Sequence, residues 1–147
     1  MLIRKMTMDD YDKVYDLWIH ASGVGVNTTD DSREGIAKYL ARNPDTCFVA
    51  MVGEEIIGVT LAGHDGRRGF IYHTSVRDSE REKGVGRALV QRAMEALERE
   101  GISKVGLIAF AANEGGNVFW EKMGFIARQD VVYRNKSIKE LEYISAR

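Results

Sequence analysis

Apolar positions recur at two different spacings along the 147-residue chain, and these spacings predict separate helices and strands. Helical spacing predicts four helices, over residues 11–21, 31–43, 88–100 and 117–123. Shorter apolar runs bounded by turns predict seven strands, over residues 2–5, 46–52, 56–63, 70–76, 105–109, 125–126 and 131–133. This order combines antiparallel hairpins with one crossover. We therefore expect a single α/β domain over residues 1–147, with a mixed, largely antiparallel central sheet of six to seven strands flanked by about four helices.

Charge balance and cysteine content exclude several function classes. The chain has 21 basic and 22 acidic residues, so no overall field attracts nucleic acid or an anionic membrane. No apolar run is long enough to span a membrane, and the N-terminus lacks the apolar core of a signal peptide. The single cysteine, Cys47, excludes an internal disulfide and is expected to be a buried, inert thiol. The lack of a disulfide fits a reducing cytoplasm, so we expect a cytoplasmic protein. No residue cluster has metal-ligand spacing, so we expect no metal site.

A glycine-rich turn with basic residues lies between the strand at residues 70–76 and the long helix. Its sequence is Arg81-Glu82-Lys83-Gly84-Val85-Gly86-Arg87-Ala88-Leu89. A strand, a glycine turn and a helix start expose several backbone N–H groups at the positive end of the helix dipole. Arg81, Lys83 and Arg87 add cationic side chains that can neutralise the same anion. The turn therefore predicts a site for phosphate or pyrophosphate.

Two common phosphate-binding folds do not fit this turn. A dinucleotide-binding fold needs a small residue where Leu89 stands, and an acidic residue at the end of the next strand, where the chain has Ala109-Phe110-Ala111. A nucleotide-triphosphatase loop needs Gly-Lys-Ser or Gly-Lys-Thr after four spacer residues, and no such string occurs. The anion is therefore expected to belong to another class of ligand.

Two blocks of the sequence resemble the GNAT superfamily of N-acetyltransferases. The run from Arg81 to Gly86 matches that superfamily's Arg/Gln-x-x-Gly-x-Gly/Ala signature at a strand-to-helix junction. The run from Asn113 to Phe125 resembles its Asn-x-x-Ala-x-x-Phe-Tyr-Glu-Lys-x-Gly-Phe block, with Trp120 at the tyrosine position. The blocks have the family's order and spacing, and the element order resembles the family's over nearly the whole chain. The turn at residues 64–69 also resembles that of the small bacterial YpeA-type members.

The resemblance implies a binding site for acetyl-coenzyme A as co-substrate. Backbone N–H groups from Lys83 to Ala88 would bind the pyrophosphate, and a splayed strand would pair with the pantetheine arm. The N–H of Val76 would stabilise the oxyanion that forms when an amine attacks the thioester. Asn113 would hydrogen-bond the pantetheine, with Phe119 packed nearby. The implied cofactor-binding residues are Thr74, Ser75, Val76, Arg81, Glu82, Lys83, Gly84, Val85, Gly86, Arg87, Ala88, Asn113, Phe119 and Trp120.

The family's usual acid and base do not transfer to this chain. Many relatives use the tyrosine of the second block as general acid, but the indole N–H of Trp120 does not release its proton at biological pH. The strands that carry a catalytic glutamate in some relatives contain no carboxylate here. The replacement candidates are His73 as base and Tyr72 as proton donor, with Tyr133 as a third; core packing is the alternative role for Tyr72 and His73. Strand alternation sends Tyr72 and His73 to opposite faces unless the strand has a bulge.

The residues and the resemblance together predict an N-acetyltransferase. It would move an acetyl group directly to a primary amine of an unidentified small molecule, peptide or protein. The alternative is a non-catalytic acyl-coenzyme A-binding sensor or interaction module, because Trp120 stands where many relatives have the catalytic tyrosine. The first two helices and their loop, from Ser22 to Asp31, are expected to select the acceptor together with the end-of-chain strands. Asp30, Asp31 and Glu34 are carboxylates that would attract a cationic acceptor, and a solvated helix-cap role is the alternative. Edge-strand pairing through the C-terminal strands, a common route to dimers in the family, adds a homodimer as a further expectation.

Overall fold

The structure is a computed structural model, and it describes residues 1–21 and 24–144. Its α-helices are α1 (Tyr11–His20), α2 (Arg33–Arg42), α3 (Val85–Arg99) and α4 (Glu114–Lys122). Its strands are β1 (Leu2–Lys5), β2 (Val26–Asn27), β3 (Phe48–Val52), β4 (Glu55–His64), β5 (Gly69–Val76), β6 (Val105–Leu107) and β7 (Tyr143–Ile144). Up to α4 the predicted element order is confirmed, with the short strand β2 in addition.

Five strands form the main sheet in the order β1-β3-β4-β5-β6. The first three pairings are antiparallel, whereas β5 and β6 are parallel and are joined by a crossover through α3. β2 and β7 form a separate two-stranded antiparallel ribbon. The predicted mixed, largely antiparallel sheet with four flanking helices is therefore confirmed, although the described main sheet has five strands rather than six or seven.

The two predicted strands at residues 125–126 and 131–133 are wrong. In the described part of the chain no strand lies between α4 and β7, and Ile126, Val132 and Tyr133 are exposed. A strand needs a neighbour for its backbone groups, and the edge strand β6 offers only the three residues from Val105 to Leu107. The apolar pattern of this segment therefore does not extend the sheet within one chain.

Apolar clusters cover both faces of the main sheet. On the face covered by α1 and α2, called the α1–α2 face below, the almost fully buried side chains include Val14, Trp18, Ile36, Val59 and Leu61. On the opposite face, called the α3 face, the buried side chains of α3, including Leu89, Val90 and Ala93, form a cluster with those of the sheet, including Phe48 and Ile71. Removal of these side chains from water is the main force that holds the helices on the sheet.

A capping arrangement before α1 ties the start of this helix to β1. The Asp10 carboxylate accepts the backbone N–H of Thr7 at 2.9 Å and two guanidinium N–H bonds from Arg4 at 2.7 and 2.8 Å. Asp10 is buried, and its charge is therefore balanced by a bidentate partner. These contacts fix where the chain turns from the first strand into α1.

Candidate active site

Strands β5 and β6 separate, which leaves a gap in the main sheet. Their parallel pairing ends at Ile71 and Leu107, whereas β5 continues to Val76. The last part of β5 keeps only its pairing with β4. The side of β5 that faces away from β4 therefore borders an opening.

Backbone groups of Thr74 and Val76 point into this gap. The N–H of Arg77 donates to the carbonyl of Ile57 on the β4 side, at 2.8 Å. Backbone groups alternate in direction along an antiparallel strand, so those of Ser75 also face β4, and those of Thr74 and Val76 face away from it. The gap is thus bordered by an extended backbone with free donors and acceptors.

The turn before α3 takes a conformation that glycine favours. Gly84 has a left-handed φ of +82°, and no heavy atom lies within 4 Å of the position that a Cβ would take. Glu82 also has a positive φ, 62°, which is uncommon for a residue with a side chain. Two left-handed residues two positions apart turn the chain tightly from β5 into α3.

The first turn of α3 offers backbone N–H groups to an anion. The helix begins at Val85, so the N–H groups of Val85, Gly86 and Arg87 have no acceptor within the helix. The N–H of Ala88 donates to the carbonyl of Gly84 at 3.0 Å. The expected row of free donors from Lys83 to Ala88 is therefore wrong at its last member, and the free helical donors end at Arg87.

Basic side chains surround this turn at the surface. Arg81 lies 3.2 Å from Asp78, and Lys83 lies 3.3 Å from Glu80, both as exposed pairs. Arg87 makes no ion pair within the described residues. Exposed pairs of this kind contribute only about 0–1 kcal/mol, so Arg81 and Lys83 can exchange their carboxylates for a phosphate.

The two sequence blocks that resemble the family meet at Gly86. A Cβ on Gly86 would lie 3.4 Å from the Phe119 ring and 3.6 Å from Val76. Phe119 packs edge-on against Trp120 with ring centroids 5.0 Å apart, and Trp120 in turn packs on Phe125 at 5.3 Å. Trp120 thus has an aromatic packing role on the α3 face.

Asn113 caps the N-terminus of α4. Its side-chain oxygen accepts the N–H of Gly116 at 3.0 Å, and its carbonyl oxygen accepts the side-chain amide of Asn117 at 2.9 Å. The side-chain oxygen therefore already has a structural partner, and only the side-chain amide N–H groups of Asn113 remain for a ligand. Its expected hydrogen bond to pantetheine stays a prediction.

Strand β5 contains a β-bulge at Tyr72 and His73, which overturns their expected separation. The register pairs on either side are Thr60–Thr74 and Ala62–Ile71. Two residues of β5 therefore lie opposite the single residue Leu61, and the strict alternation of side chains is broken there. Tyr72 packs on Tyr39 of α2, and His73 packs on Trp18 of α1. Both side chains thus lie on the α1–α2 face.

Tyr72 is half exposed in an aromatic setting beside the gap. Its ring lies 5.7 Å from that of Tyr39 and 4.8 Å from that of Phe70. Burial of the phenol raises the pKa of Tyr72 above its ordinary value, and the nearby Tyr133 and Asp30 raise it further. The hydroxyl therefore stays protonated at neutral pH and can donate a hydrogen bond.

His73 contacts a residue that no sequence pattern pairs with it. Its Nε2 lies 2.8 Å from the Asp31 carboxylate, across 42 positions of the chain. Contacts between a strand and a distant loop leave no periodic signal in one sequence. Only the expectation that Asp31 belongs to the acceptor region pointed towards this part of the molecule.

Thr74 and Ser75 send their side chains to opposite faces. The hydroxyl of Thr74 lies 2.8 Å from that of Thr60 on β4. Ser75 pairs in register with Val59, a member of the cluster on the α1–α2 face, so its side chain lies on that face. The buried hydroxyl of Ser75 has no hydrogen-bond partner among the described residues.

Other candidate chemistry lies outside this site. Cys47 is fully buried, and burial raises the pKa of its thiol to about 12. Within residues 1–21 and 24–144 no three His, Cys, Asp or Glu residues form a group that could hold a metal. The helices of the same residues include none that is both long and apolar enough to cross a bilayer.

A cavity of about 700 Å³ opens on the other side of β5, at the end of α1. Of the residues expected in the site, only Val76 lines it. Several of its charged groups already have partners in the described structure: Glu55 with Arg77, Asp12 with Arg33, and Asp16 with His20. The cavity therefore shares Val76 with the gap, and its remaining lining residues are not among those predicted for the site.

Comparison with known proteins places this arrangement in a family. The model of the Acetyltransferase (GNAT) family matches residues 11–125. The chain belongs to this family. Among curated relatives, an acetyltransferase of Photorhabdus laumondii is 30% identical over 145 residues, which cover 97% of this chain and 100% of the relative.

Solved structures share the GNAT fold. A putative acetyltransferase from Agrobacterium tumefaciens superposes with a TM-score of 0.71 at 19% identity, over 92% of this chain and 100% of that chain. The PaiA N-acetyltransferase from Thermoplasma acidophilum, solved in complex with coenzyme A, has a TM-score of 0.72 at 14% identity, over 82% and 86% of the two chains. This protein is therefore a GNAT acetyltransferase in fold and family.

Proposed function

We propose that this protein transfers the acetyl group of acetyl-coenzyme A directly to a primary amine. The observation that carries the proposal is the junction of the β5–β6 gap with the first turn of α3. The pantetheine arm needs an extended backbone with free donors and acceptors, and the pyrophosphate needs a cluster of N–H groups. Gly86 joins the two features, because it lies in the first turn of α3 and next to Val76.

The donor would lie along the gap with its pyrophosphate at α3. The N–H groups of Val85, Gly86 and Arg87, with the helix dipole, bind the phosphates, and Arg81 and Lys83 supply neutralising charge. Gly84 and Glu82 shape the turn, Ala88 completes the first helical bond, and Thr74, Ser75 and Val76 supply the strand along which pantetheine pairs. Phe119 of α4 lies beside Gly86 and Val76 at this opening, and Asn113 and Trp120 would bind the donor from the same element.

The backbone of β5 would stabilise the oxyanion of the tetrahedral intermediate. The N–H of Val76 points into the gap, and preorganised donors of this kind typically account for about 10²–10³ in rate. The N–H of Thr74 faces the same gap and is the second candidate for this role. Both sit on a strand that remains paired with β4, so the donor is held rigidly.

The burial of Cys47, the single cysteine of the chain, supports direct attack by the amine on the thioester. Cys47 is buried beneath the α1–α2 face with a raised pKa, so it is a poor nucleophile for an acetyl-enzyme intermediate. Tyr72 would donate a hydrogen bond or proton to the departing thiolate, since its hydroxyl stays protonated at neutral pH. Trp120 then has a packing role rather than that of the acid.

The acceptor would approach from the α1–α2 face. The anion-binding turn belongs to α3 and lies on the opposite face, so a donor that passes through the gap presents its thioester to the α1–α2 face. There Tyr72 and the carboxylate of Asp30 provide an aromatic ring and a negative charge beside the opening. These groups suit a protonated amine of a small molecule or peptide, rather than nucleic acid or a membrane.

A non-catalytic acyl-coenzyme A sensor is the second candidate, because Trp120 replaces the usual acid. Release of free thiol from acetyl-coenzyme A, measured with a panel of amino acids, polyamines, aminoglycosides and peptides, distinguishes the two functions. We expect amine-dependent thiol release with an equal amount of N-acetyl product. Thermal stabilisation by the coenzyme without turnover on any amine would support the sensor instead.

We also propose that two copies associate through the segment after α4. Ile126, Val131, Val132 and Tyr133 are exposed, and the outer edge of β6 has no neighbouring strand in the described residues. Light scattering should give twice the chain mass of 16.5 kDa, and Val132→Glu should halve the measured mass. A wild-type protein of single-chain mass contradicts this proposal.

A further inference from the structure

Asp31 and His73 form a hydrogen-bonded pair on the α1–α2 face of β5. His73 Nε2 lies 2.8 Å from Asp31 Oδ1, and Asp31 Oδ2 accepts the backbone N–H of Asn27 at 2.9 Å. The side chain of His73 is 16% exposed and that of Asp31 is 7% exposed. The backbone of Asp31 is fixed as well, because its carbonyl accepts the hydroxyl of Tyr11 at 2.6 Å. The carboxylate is therefore held in place independently of the histidine.

This hydrogen bond decides which nitrogen of neutral His73 carries the proton. A carboxylate only accepts, so Nε2 donates to Asp31 and Nδ1 keeps its lone pair. The indole of Trp18 packs edge-on against the imidazole, with centroids 4.9 Å apart, and restricts its rotation. Nδ1 has no hydrogen-bond partner within the described residues. His73 thus presents a fixed, unprotonated nitrogen.

Other polar atoms near His73 also lack partners. Trp18 Nε1 and Ser75 Oγ are buried and have no hydrogen-bond partner among the described residues. Leaving such a group unpaired costs about 1–3 kcal/mol, so buried polar atoms are normally satisfied by water or by a ligand. Both residues belong to the α1–α2 face, where His73 lies. This neighbourhood is therefore suited to polar ligand atoms.

His73 lies next to the expected reaction centre. It directly precedes Thr74, whose backbone groups face the gap, and its side chain packs on Trp18 at the α1–α2 face. An amine that reaches the thioester from that face has to pass this side of β5. The bulge places both Tyr72 and His73 on this side of the strand, where regular alternation would have placed only one of them.

We propose that His73 is the catalytic base for the acceptor amine and that Asp31 is its positioning residue. The inference rests on the proposed acetyl transfer. His73 Nδ1 takes one proton from the ammonium group, which leaves a neutral amine, and Asp31 stabilises the imidazolium that forms. The nitrogen then bonds to the thioester carbon and the C–S bond breaks. The second proton of the amine ends on the coenzyme sulfur, and His73 releases the first to solvent.

A purely structural pair is the competing role, because the contact also fastens the loop before α2 to β5. The titratable groups around His73 are Asp30 and Asp31 on that loop, Tyr11 at the start of α1, and Tyr72 on its own strand. Removal of a structural pair lowers the stability of the protein whichever substrate is bound. Removal of a base selectively lowers kcat/KM for the amine and alters the pH dependence of this kcat/KM.

The test compares the steady-state kinetics of His73→Gln, Asp31→Asn and the wild-type protein. The measurements run from about pH 5.5 to 9.5, a range that includes the pH at which imidazole groups ordinarily titrate. For His73→Gln we expect kcat/KM for the amine to fall by about 100-fold or more near neutrality. The loss should shrink at alkaline pH, where free amine no longer needs a base. The KM for acetyl-coenzyme A should stay unchanged. Asp31→Asn should lower kcat/KM by about tenfold or more, since the amide can also orient the ring wrongly.

A second histidine–carboxylate pair supplies the matched control. His64 Nε2 lies 2.9 Å from the Glu100 carboxylate, at the far end of β4 from the gap. His64→Gln and Glu100→Gln remove a pair of the same chemistry without touching the site. Both should keep the wild-type kcat/KM and its pH profile.

The outcomes separate this inference from the proposed function. A folded His73→Gln protein with the wild-type rate and pH profile overturns the base but leaves acetyl transfer in place. Wild-type protein that binds the coenzyme and acetylates no amine overturns the proposed function and the base with it. If His73→Gln does not fold, NMR titration of His73 in the wild-type protein decides: its titration must coincide with the acid limb of kcat/KM, and a mismatch overturns the proposal.

Discussion

The ring of Phe119 packs against Gly86, so that a Cβ on the glycine would lie 3.4 Å from two atoms of the ring. Gly86 belongs to the anion-binding turn, and Phe119 belongs to the second block, which α4 carries. This contact therefore joins the two parts of the expected donor site. Val76 at the end of β5 is the third member, 3.6 Å from the same Cβ position.

Gly86→Val should weaken acetyl-coenzyme A binding by about tenfold or more, roughly 1.4 kcal/mol. The branched side chain has to displace Phe119 and Val76, and it also narrows the approach of a phosphate to the backbone. Isothermal titration with acetyl-coenzyme A measures the change. Gly115→Ala in α4 is the control, because no heavy atom lies within 4 Å of its Cβ position. Equal affinity of Gly86→Val and wild type would remove Gly86 from the donor site.

Gly84→Glu should abolish thermal stabilisation by coenzyme A. The substitution puts a side chain on a residue with φ of +82° and adds a negative charge where the pyrophosphate is expected. Gly66→Glu is a matched control, because Gly66 has φ of +92° and equally open surroundings in the β4–β5 turn. Both variants should lose similar intrinsic stability, and only Gly66→Glu should keep the coenzyme-dependent shift. A full shift in folded Gly84→Glu protein is incompatible with the assigned anion site.

Tyr72→Phe should lower kcat by about 10- to 100-fold and leave acetyl-coenzyme A affinity unchanged. The ring still packs on Tyr39 and Phe70, so only the hydroxyl that would serve the departing thiolate is lost. Because burial raises the pKa of Tyr72, the wild-type rate should fall at alkaline pH only above the ordinary value for tyrosine, about 10. Thiol release by Tyr72→Phe and by the wild-type protein checks this; equal rates would exclude Tyr72 as the proton donor.

Asp10→Asn should lower the free energy of unfolding by about 1–3 kcal/mol at pH 7. Burial by itself would raise the pKa of Asp10, but hydrogen bonds from Arg4 and Thr7 outweigh it and lower the pKa below the ordinary value. The charged carboxylate therefore stabilises the fold above the unfolded pKa of about 3.9, and this contribution is lost as pH falls through the lower folded value.

Urea unfolding of Asp10→Asn and wild type at pH 7 and at pH 3 measures this contribution. The difference between the two proteins should shrink at the lower pH. Asp45→Asn breaks the exposed pair with Lys5, at 2.6 Å, and should change stability by less than about 0.5 kcal/mol. A difference between wild type and Asp10→Asn that does not depend on pH would contradict the assigned role of the charge.

The sequence was sufficient to predict the elements that carry the site. The turn from Arg81 to Gly86 and the helix after it depend on local chemistry: glycine permits a left-handed backbone, and an apolar stripe with helical spacing specifies α3. Such signals lie within a few residues of one another and can therefore be found in one chain.

Long-range features could not be predicted in this way. The bulge at Tyr72 and His73 depends on the register with β4, and the His73–Asp31 contact joins residues 42 positions apart. The segment after α4 has short apolar runs of the kind that form strands, yet Val132 and Tyr133 find no neighbouring strand in the described chain and stay exposed. Pattern indicates which residues favour a strand, but pairing decides whether a strand forms.

The crystal structure of this protein with acetyl-coenzyme A tests the central claim most directly. We expect the pyrophosphate within hydrogen-bond distance of the N–H groups of Val85, Gly86 and Arg87. The thioester carbonyl should lie about 2.7–3.1 Å from the N–H of Val76 or Thr74. Its acetyl group should face Tyr72 and His73. A coenzyme bound away from the β5–β6 gap, or with its thioester turned from the α1–α2 face, would contradict the account.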